Sequence, residues 1–388
     1  MKVVIAIDSF KGSMSSLEAG NAAKEGILRA CEADVVVKPL ADGGEGTTEA
    51  LVRGLGGRFE TIQVTGPMGG KVLARYGILK DGKTAVMEMA EAAGITLVKR
   101  EELNPWKATT TGVGEMILDA VDKGCREFIV GIGGSATTEG GIGMLQALGY
   151  EFTGEAGEIL PPWLESLGKI AQIREEKVPS RLMDCHFQIA CDVTNPLCGS
   201  LGAVCVFGPQ KGVKQEELEK MDVMMRHYAQ KTAQFKGEDK SGIAGAGAAG
   251  GLGFAFLNYL PHAELRSGID IVLNAIGLEE ELKDADVVVT GEGRLDLQTS
   301  MGKLPVGVAR LAQKYQAKVI AFAGSVTEDA LKCNAEGIDA FFPIVRGITT
   351  LEEAMETETA KENMRSAAEQ VFRLYALSLI NADCKGTL

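Results

Sequence analysis

The stretch Ala285–Pro305, ADVVVTGEGRLDLQTSMGKLP, constrains the fold of this chain more than any other. Val287, Val288 and Val289 form a β-branched run that leads into glycine-spaced sequence, the pattern of a strand buried on both faces of a parallel sheet. A glycine-spaced loop is expected next, carrying Glu292, Arg294, Asp296, Gln298, Thr299 and Lys303, before Pro305 opens an apolar-periodic helix. Strand, charged loop and helix make a unit of α/β sheet. In such sheets ligands sit beyond the carboxyl ends of the strands, so chemistry is expected at this loop.

The same plan recurs along the chain. Val3–Ile7 delivers Asp8-Ser9-Phe10-Lys11-Gly12-Ser13, and Ser15 with Glu18 gives the capping-box spacing for a helix reaching about Ala30. Val35–Val37 leads into Ala41-Asp42-Gly43-Gly44-Glu45-Gly46-Thr47, and Phe128–Ile132 into Gly133-Gly134-Ser135-Ala136-Thr137-Thr138-Glu139-Gly140-Gly141. In this last loop glycines let the backbone close around a ligand, while successive amides and the Ser135, Thr137 and Thr138 hydroxyls make an anion cradle. Phe187–Ala190 ends in Cys191-Asp192-Val193-Thr194-Asn195-Pro196, and Gly208-Pro209-Gln210-Lys211-Gly212 adds a lysine. Lys318–Phe322 and Phe341–Val345 are further strands, closed by a helix near Ala354–Ser378. The segment from Thr61 to about Ala90 alternates instead, as antiparallel or mixed sheet does. The expected class is α/β: a Rossmann-like parallel-sheet domain from 1–60, 106–150 and 285–380, with a second, smaller mixed α/β domain (61–105 and 151–284) inserted discontinuously.

Two motif matches fail their context. Gly77–Thr84, GILKDGKT, fits the phosphate-loop expression, but Asp81-Gly82 lies between two alternating strands and predicts a hairpin. Gly245-Ala246-Gly247-Ala248-Ala249-Gly250 fits the dinucleotide pattern, yet KGEDKSGIA before it contains no strand. A glycine-rich loop capping an apolar helix, close to a nucleotide or to another helix, remains. The three histidines form no cluster, so acid–base work falls to carboxylates or lysine. Eight scattered cysteines without a Cys-x-x-Cys pair read as reduced thiols. A net charge of −13 opposes nucleic acid and anionic membranes as partners. The apolar run before Asp8 is too short for a signal peptide, and Gly242–Leu260 is too glycine-rich for a membrane helix. A cytoplasmic location is expected. An oligomer is compatible with the sequence but not readable from it.

Taken in order, DSFKGS (8–13), ADGGEGT (41–47), TGPMG (65–69), GGSATTEGG (133–141), ACDVTNPL (190–197), FGPQKG (207–212), GAGAAGGLG (245–253) and TGEGRLDLQTSMGK (290–303) resemble the class I glycerate kinase family over nearly the whole chain. The resemblance implies a Rossmann-like domain paired with a smaller α/β domain and ATP-dependent phosphorylation of glycerate, commonly at the 2-hydroxyl. Two departures are Ile7, where proline is usual, and Glu139, where aspartate is usual, which would alter ligand geometry if that acid held magnesium.

Phosphoryl transfer needs Mg²⁺ on the phosphates, cations or amides on the transferred group and a carboxylate for the attacking hydroxyl. Catalysis is therefore expected of Asp192, Asp296, Lys11 and Lys303, and substrate contacts of Asp8, Ser9, Asp42, Asn195, Lys211 and Arg294. ATP contacts are expected from Gly133, Gly134, Ser135, Thr137, Thr138, Gly245, Gly247 and Gly250, and Mg²⁺ ligation from Glu292 and Asp296. Which acid is base and which binds metal stays open, with Asp296 read as serving the metal–phosphate end and Asp192 the acceptor hydroxyl. The rival readings are attack by the 3-hydroxyl, a nicotinamide-dependent oxidoreductase and a non-catalytic metabolite-binding protein.

Overall fold

The computed structural model describes residues 1–40 and 46–385, with 378–385 described by backbone alone. In chain order the strands are β1 (Lys2–Ile7), β2 (Asp34–Val37), β3 (Arg58–Thr65), β4 (Lys71–Ile78), β5 (Thr84–Glu88), β6 (Glu127–Gly131), β7 (Glu151–Thr153), β8 (Gln172–Arg174), β9 (His186–Ala190), β10 (Ala263–Arg266), β11 (Val287–Leu295), β12 (Lys318–Val326) and β13 (Ala340–Pro343). The chain divides into two compact units, Met1–Asp42 with Val272–Leu388, and Gly43–Ile271.

The first unit is built on a wholly parallel sheet in the order β13-β12-β11-β1-β2. Val3–Ile7 and Val287–Val289 are completely buried, as apolar runs covered by helices on both faces must be. From β1 the chain crosses to β2 in one direction, whereas from β11 it moves to β12 and β13 in the other. With right-handed crossovers the winding therefore reverses between β1 and β11, which makes their carboxyl ends the topological switch point. The predicted capping box is present: Ser15 Oγ accepts from Glu18 N at 3.3 Å, and the Glu18 carboxylate accepts from Ser15 N at 3.0 Å. Helix Ser16–Ala30 packs on the C-terminal helix Thr357–Lys385, and Arg365 pairs with Glu25 at 2.6 Å.

Strand β11 is longer than the β-branched run suggests. Its pairing with β12 continues through Glu292↔Ala323 and Arg294↔Ser325, so these two charged residues are strand residues that alternate onto one face. Gly291 belongs to the strand interior, because a Cβ there would lie 2.0 Å from the Phe322 carbonyl oxygen. A ladder held by backbone groups tolerates glycines and charges that end an apolar pattern.

The second unit carries a mixed sheet in the order β10-β9-β6-β5-β4-β3, with β5, β6, β9 and β10 parallel and β3–β4–β5 antiparallel, together with the small β7–β8 ribbon. The α/β class, one parallel and one mixed sheet, is thus the expected one, but the segments partition differently. Residues 106–150 lie in the mixed-sheet unit: β6 pairs with β5 and β9, and the Phe128 and Phe187 rings stack at 4.7 Å. Helix Thr47–Leu55 also belongs there, packed on β4 and β5. Residues 272–284 belong to the parallel-sheet unit, where Lys2 Nζ reaches Asp284 at 2.6 Å and Glu281 at 3.1 Å. The insert is one continuous stretch and the longer of the two units. A strand followed by a glycine loop and a helix looks alike in either sheet. The partner strand lies far off in sequence and leaves no local mark.

GILKDGKT is a hairpin. Ile78 pairs antiparallel with Ala85, and the Asp81 carboxylate accepts from the Lys83 and Thr84 amides at 2.9 Å each and from Thr84 Oγ1 at 2.6 Å. The 245–251 loop is a packing device. Gly250 has a left-handed φ of 67°, and a Cβ on it would lie 2.1 Å from the Thr137 carbonyl oxygen, while Gly140 N donates to Gly250 O at 2.9 Å. Gly247 meets the Pro196 carbonyl oxygen in the same manner, at 2.2 Å from its absent Cβ.

Two measurements check these readings. Lys83→Ala leaves turnover within a few-fold, whereas loss of a phosphate-loop lysine would cost about a thousandfold or more. Gly250→Ala, which must move backbone on both sides and adopt a strained φ, destabilises the protein by about 2 kcal/mol or more in denaturant unfolding.

Candidate functional site

Each unit has its own cleft at the carboxyl edge of its parallel strands. The cleft of the parallel-sheet unit encloses about 800 Å³ and opens at the β1/β11 switch point. Strand β1 delivers Asp8, Ser9, Phe10 and Lys11 to it, and β11 with the following turn delivers Glu292, Arg294, Asp296 and Lys303. The segment after β13, from Ile344 to Met355, adds an uncharged and mostly apolar stretch of lining that includes Thr349 and Thr350.

Local hydrogen bonds fix the acids. Asp8 Oδ1 accepts from Ser9 N at 2.6 Å, and Asp8 N donates to Gly291 O at 2.9 Å, which ties the two strand ends together. Asp296 caps the short helix Leu297–Ser300: its Oδ1 accepts from Gln298 N at 2.9 Å and Thr299 N at 3.3 Å. Thr299 Oγ1 in turn donates to Glu292 Oε1 at 2.5 Å, so Glu292 and Asp296 are held through one threonine. Arg294 Nε lies 3.8 Å from Asp296 Oδ2 with its side chain largely in solvent, a pair weak enough for the guanidinium to turn to an anion.

The cleft of the mixed-sheet unit encloses about 680 Å³. Its wall is Gly131–Ser135 after β6, Ala190–Val193 after β9, Glu88 with Glu91 after β5, and Lys211. Lys211 is a fully buried lysine whose Nζ donates to Ser135 Oγ at 2.7 Å and to Thr137 O at 2.6 Å. An ammonium has three donors, so one remains for a ligand. Burial pushes the Lys211 pKa down to about 7, partly countered by the charge of Glu139. Asp192 Oδ1 accepts from Gly268 N at 3.0 Å, which orients its carboxylate at the end of β9.

The expected glycine-loop cradle and Asp192 therefore share one cleft, and Asp8, Lys11, Glu292, Arg294, Asp296 and Lys303 share the other. Of the cradle, Gly133, Gly134 and Ser135 line the cleft. Thr137 and Thr138 do not: both side chains are completely buried, and their hydroxyls have no hydrogen-bond partner among the described residues. Gly245, Gly247 and Gly250 are likewise absent from the lining, where Ala248 and Ala249 represent that loop; Gly247 and Gly250 pack against backbone, and Gly245 against the Leu265 and Cys191 side chains. Asn195 is not part of the cleft lining; its side-chain Nδ2 donates to Leu201 O at 2.8 Å and its backbone carbonyl oxygen accepts from Gly247 N at 2.9 Å. Asp42 lies outside the described residues.

Glu139 is buried behind the cradle, where its carboxylate accepts from Thr110 N at 2.9 Å and from Gly143 N at 3.4 Å. Burial raises its pKa to about 7. Glu139 is not part of the cleft lining. Glu88 and Glu91 were missed by the sequence reading, although an acid ending β5 is the signal used elsewhere; the antiparallel look of that segment hid it. Glu88 accepts from Thr48 N at 3.1 Å, and burial raises its pKa. Among the described residues no group of three or more acidic, histidine or cysteine side chains is arranged to hold a metal ion. No helix of the described residues is long and apolar enough to cross a membrane.

Comparison with known proteins agrees with this arrangement of motifs. Residues 3–376 match the model of the glycerate kinase family. The chain is 44% identical to the glycerate 2-kinase of Escherichia coli (strain K12), over 98% of this chain and 100% of that protein. It is 46% identical to a glycerate kinase of Bacillus subtilis (strain 168), over 96% and 97% respectively. A crystal structure of a candidate glycerate kinase 2 from Salmonella typhimurium LT2 superposes with a TM-score of 0.89 at 44% identity, covering 98% of this chain and 99% of that one. With the family model spanning nearly its whole length and relatives above 40% identity from end to end, this chain belongs to the glycerate kinase family.

Proposed function

We propose that this chain phosphorylates D-glycerate at its 2-hydroxyl, with ATP as donor and Mg²⁺ as cofactor. The observation that carries the reading is the set of three acids and three cations, Asp8, Glu292 and Asp296 with Lys11, Arg294 and Lys303, around one cleft at the β1/β11 switch point of a glycerate kinase family member.

The donor set fits a magnesium nucleotide. Mg²⁺ takes hard oxygen ligands and is bound by one or two carboxylates plus phosphate oxygens, so a complete protein cage is not needed. Glu292 and Asp296, coupled through Thr299, would hold it, and Lys11, Arg294 and Lys303 would take the phosphate oxygens. When bound, the ion–nucleotide pair supplies the phosphoryl group and neutralises charge on it. The glycerate carboxylate suits the second cleft, where the Gly133 and Gly134 backbone, Ser135 Oγ and the third donor of Lys211 converge. Of the carboxylates in that cleft, Asp192, at the end of β9, is the one assigned to accept the proton of the attacking hydroxyl, a role worth about a hundredfold to ten-thousandfold. The glycine loop thereby moves from the nucleotide to the acceptor, because it shares a cleft with Asp192 and Lys211.

The product distinguishes the hydroxyls. In a coupled assay with enolase and no phosphoglycerate mutase, signal is expected at once; signal that appears only after mutase is added would mean attack by the 3-hydroxyl. Absence of ADP release with any small hydroxy acid would remove the kinase reading.

Lys211 gives a pH signature. Its pKa is pushed below the usual lysine range to about 7, so the ammonium carries its charge below that pH and loses it above. The KM for glycerate is expected to rise as pH increases through about 7, since the glycerate carboxylate stays ionised throughout. Lys211→Met raises KM by about tenfold or more, the worth of a charge-assisted hydrogen bond, and flattens the profile. An unchanged profile in that variant would exclude Lys211 from the acceptor site.

A further inference from the structure

We infer that the apolar end of the cleft in the parallel-sheet unit is a nucleobase subsite for the purine ring of the nucleotide donor, formed by Phe10, Ile344, Ile348, Leu351 and Met355. The inference rests on the phosphotransfer reading above and extends it to the part of the nucleotide that does not react.

Size excludes the acceptor as the sole occupant. At about 800 Å³ the cleft lies in the range of sites for drug-sized ligands, far more than a three-carbon acid fills. Charge is segregated within it. The acids and cations come from the ends of β1 and β11, whereas the lining residues between Ile344 and Met355 are all uncharged: two isoleucines, a valine, a leucine and a methionine, with Gly347, Thr349, Thr350 and Ala354. The ligand that matches is anionic at one end and flat and apolar at the other. Mononucleotides meet that description, and they sit at the switch point of sheets with this strand order.

The apolar end is built for an occupant. Ile348 is fully exposed and Leu351 is 75% exposed, so two large apolar side chains stand in water on the rim. Phe10, in the same lining, is buried, and Met355 approaches Gly12 of the β1 loop so closely that a Cβ there would lie 2.8 Å from its methyl. The apolar lining thus runs from the buried Phe10 and Ile344 through the half-buried Met355 to the exposed Ile348 and Leu351. Between Val345 and Thr349 the backbone makes no backbone–backbone hydrogen bond among the described residues. A purine carries donors and acceptors along its edge, and unpaired N–H and C=O groups beside an apolar slot can read them.

The test uses the full-length protein with Mg²⁺ and calorimetric titration of ADP and of inorganic tripolyphosphate, which has the charge without the base. Wild type is expected to bind ADP at least tenfold more tightly than tripolyphosphate. Leu351→Ser, at an exposed position that folding does not depend on, and Met355→Gln, which keeps the shape of the side chain, are each expected to weaken ADP about fivefold to twentyfold. Tripolyphosphate binding should change by no more than about twofold. Hydrogen exchange at the amides of residues 345–351 should slow with ADP and not with tripolyphosphate. Equal affinity of wild type for the two ligands, no ADP binding, or unchanged ADP affinity in both variants would overturn the subsite. Glycerate turnover is measured separately: a protein that binds ADP in this way without phosphorylating glycerate keeps the subsite and loses the function. Normal turnover with unaltered ADP affinity in the variants does the reverse.

Discussion

The parallel pairing of β1 with β11 is the contact on which the rest of this protein depends. It joins residues at the start of the chain to residues nearly three hundred positions later, from Val3↔Val287 to Ile7↔Gly291, and the Asp8 amide extends it by one more bond to Gly291 O. Closing so long a loop is entropically costly, although the cost grows only slowly with loop length, and it is offset by complete burial of the apolar runs Val3–Ile7 and Val287–Val289. The pairing fixes the register that brings Asp8 and Lys11 beside Glu292 and Arg294. It also makes the winding reverse, and that reversal creates the cleft.

Asp8, Glu292 and Asp296 in one cleft and Asp192 in the other are each restrained by hydrogen bonds from within the protein. Asp8 is bound by the next amide, Asp296 caps a turn of helix, Glu292 shares Thr299 with it, and Asp192 takes the amide of Gly268. Each carboxylate thereby has its orientation set before any ligand arrives, which lowers the ordering cost of binding. Lys211 carries the same logic further. Its ammonium is desolvated inside the protein and held by a hydroxyl and a carbonyl, so its charge is poised near neutrality. The buried Glu139 behind it orders the glycine loop through the Thr110 and Gly143 amides.

Glycine is used here in two distinct ways. At Gly133 nothing lies within 4 Å of the position a Cβ would take, and the backbone is open to the cleft. At Gly247, Gly250 and Gly291 that position is occupied by another segment's carbonyl oxygen, so the missing side chain is filled by protein. The two uses have the same letters, and a fingerprint read from the letters alone treats them alike.

What the sequence determined by itself is everything governed by near neighbours: the strand at Val3–Ile7, the capping box at Ser15, the hairpin at Asp81-Gly82 and the acids at strand ends. Periodicity, turn chemistry and capping act over a few residues, and so does a motif such as DSFKGS or GGSATTEGG. The tertiary structure alone decided which sheet receives β6, how far β11 runs past its valines and which acids share a cleft. Strand partnership in a parallel sheet is a long-range choice among similar apolar runs, made by the packing of whole faces. The burial of Thr137 and Thr138 and the packing duty of Gly250 follow from that choice, since both depend on the segment lying opposite.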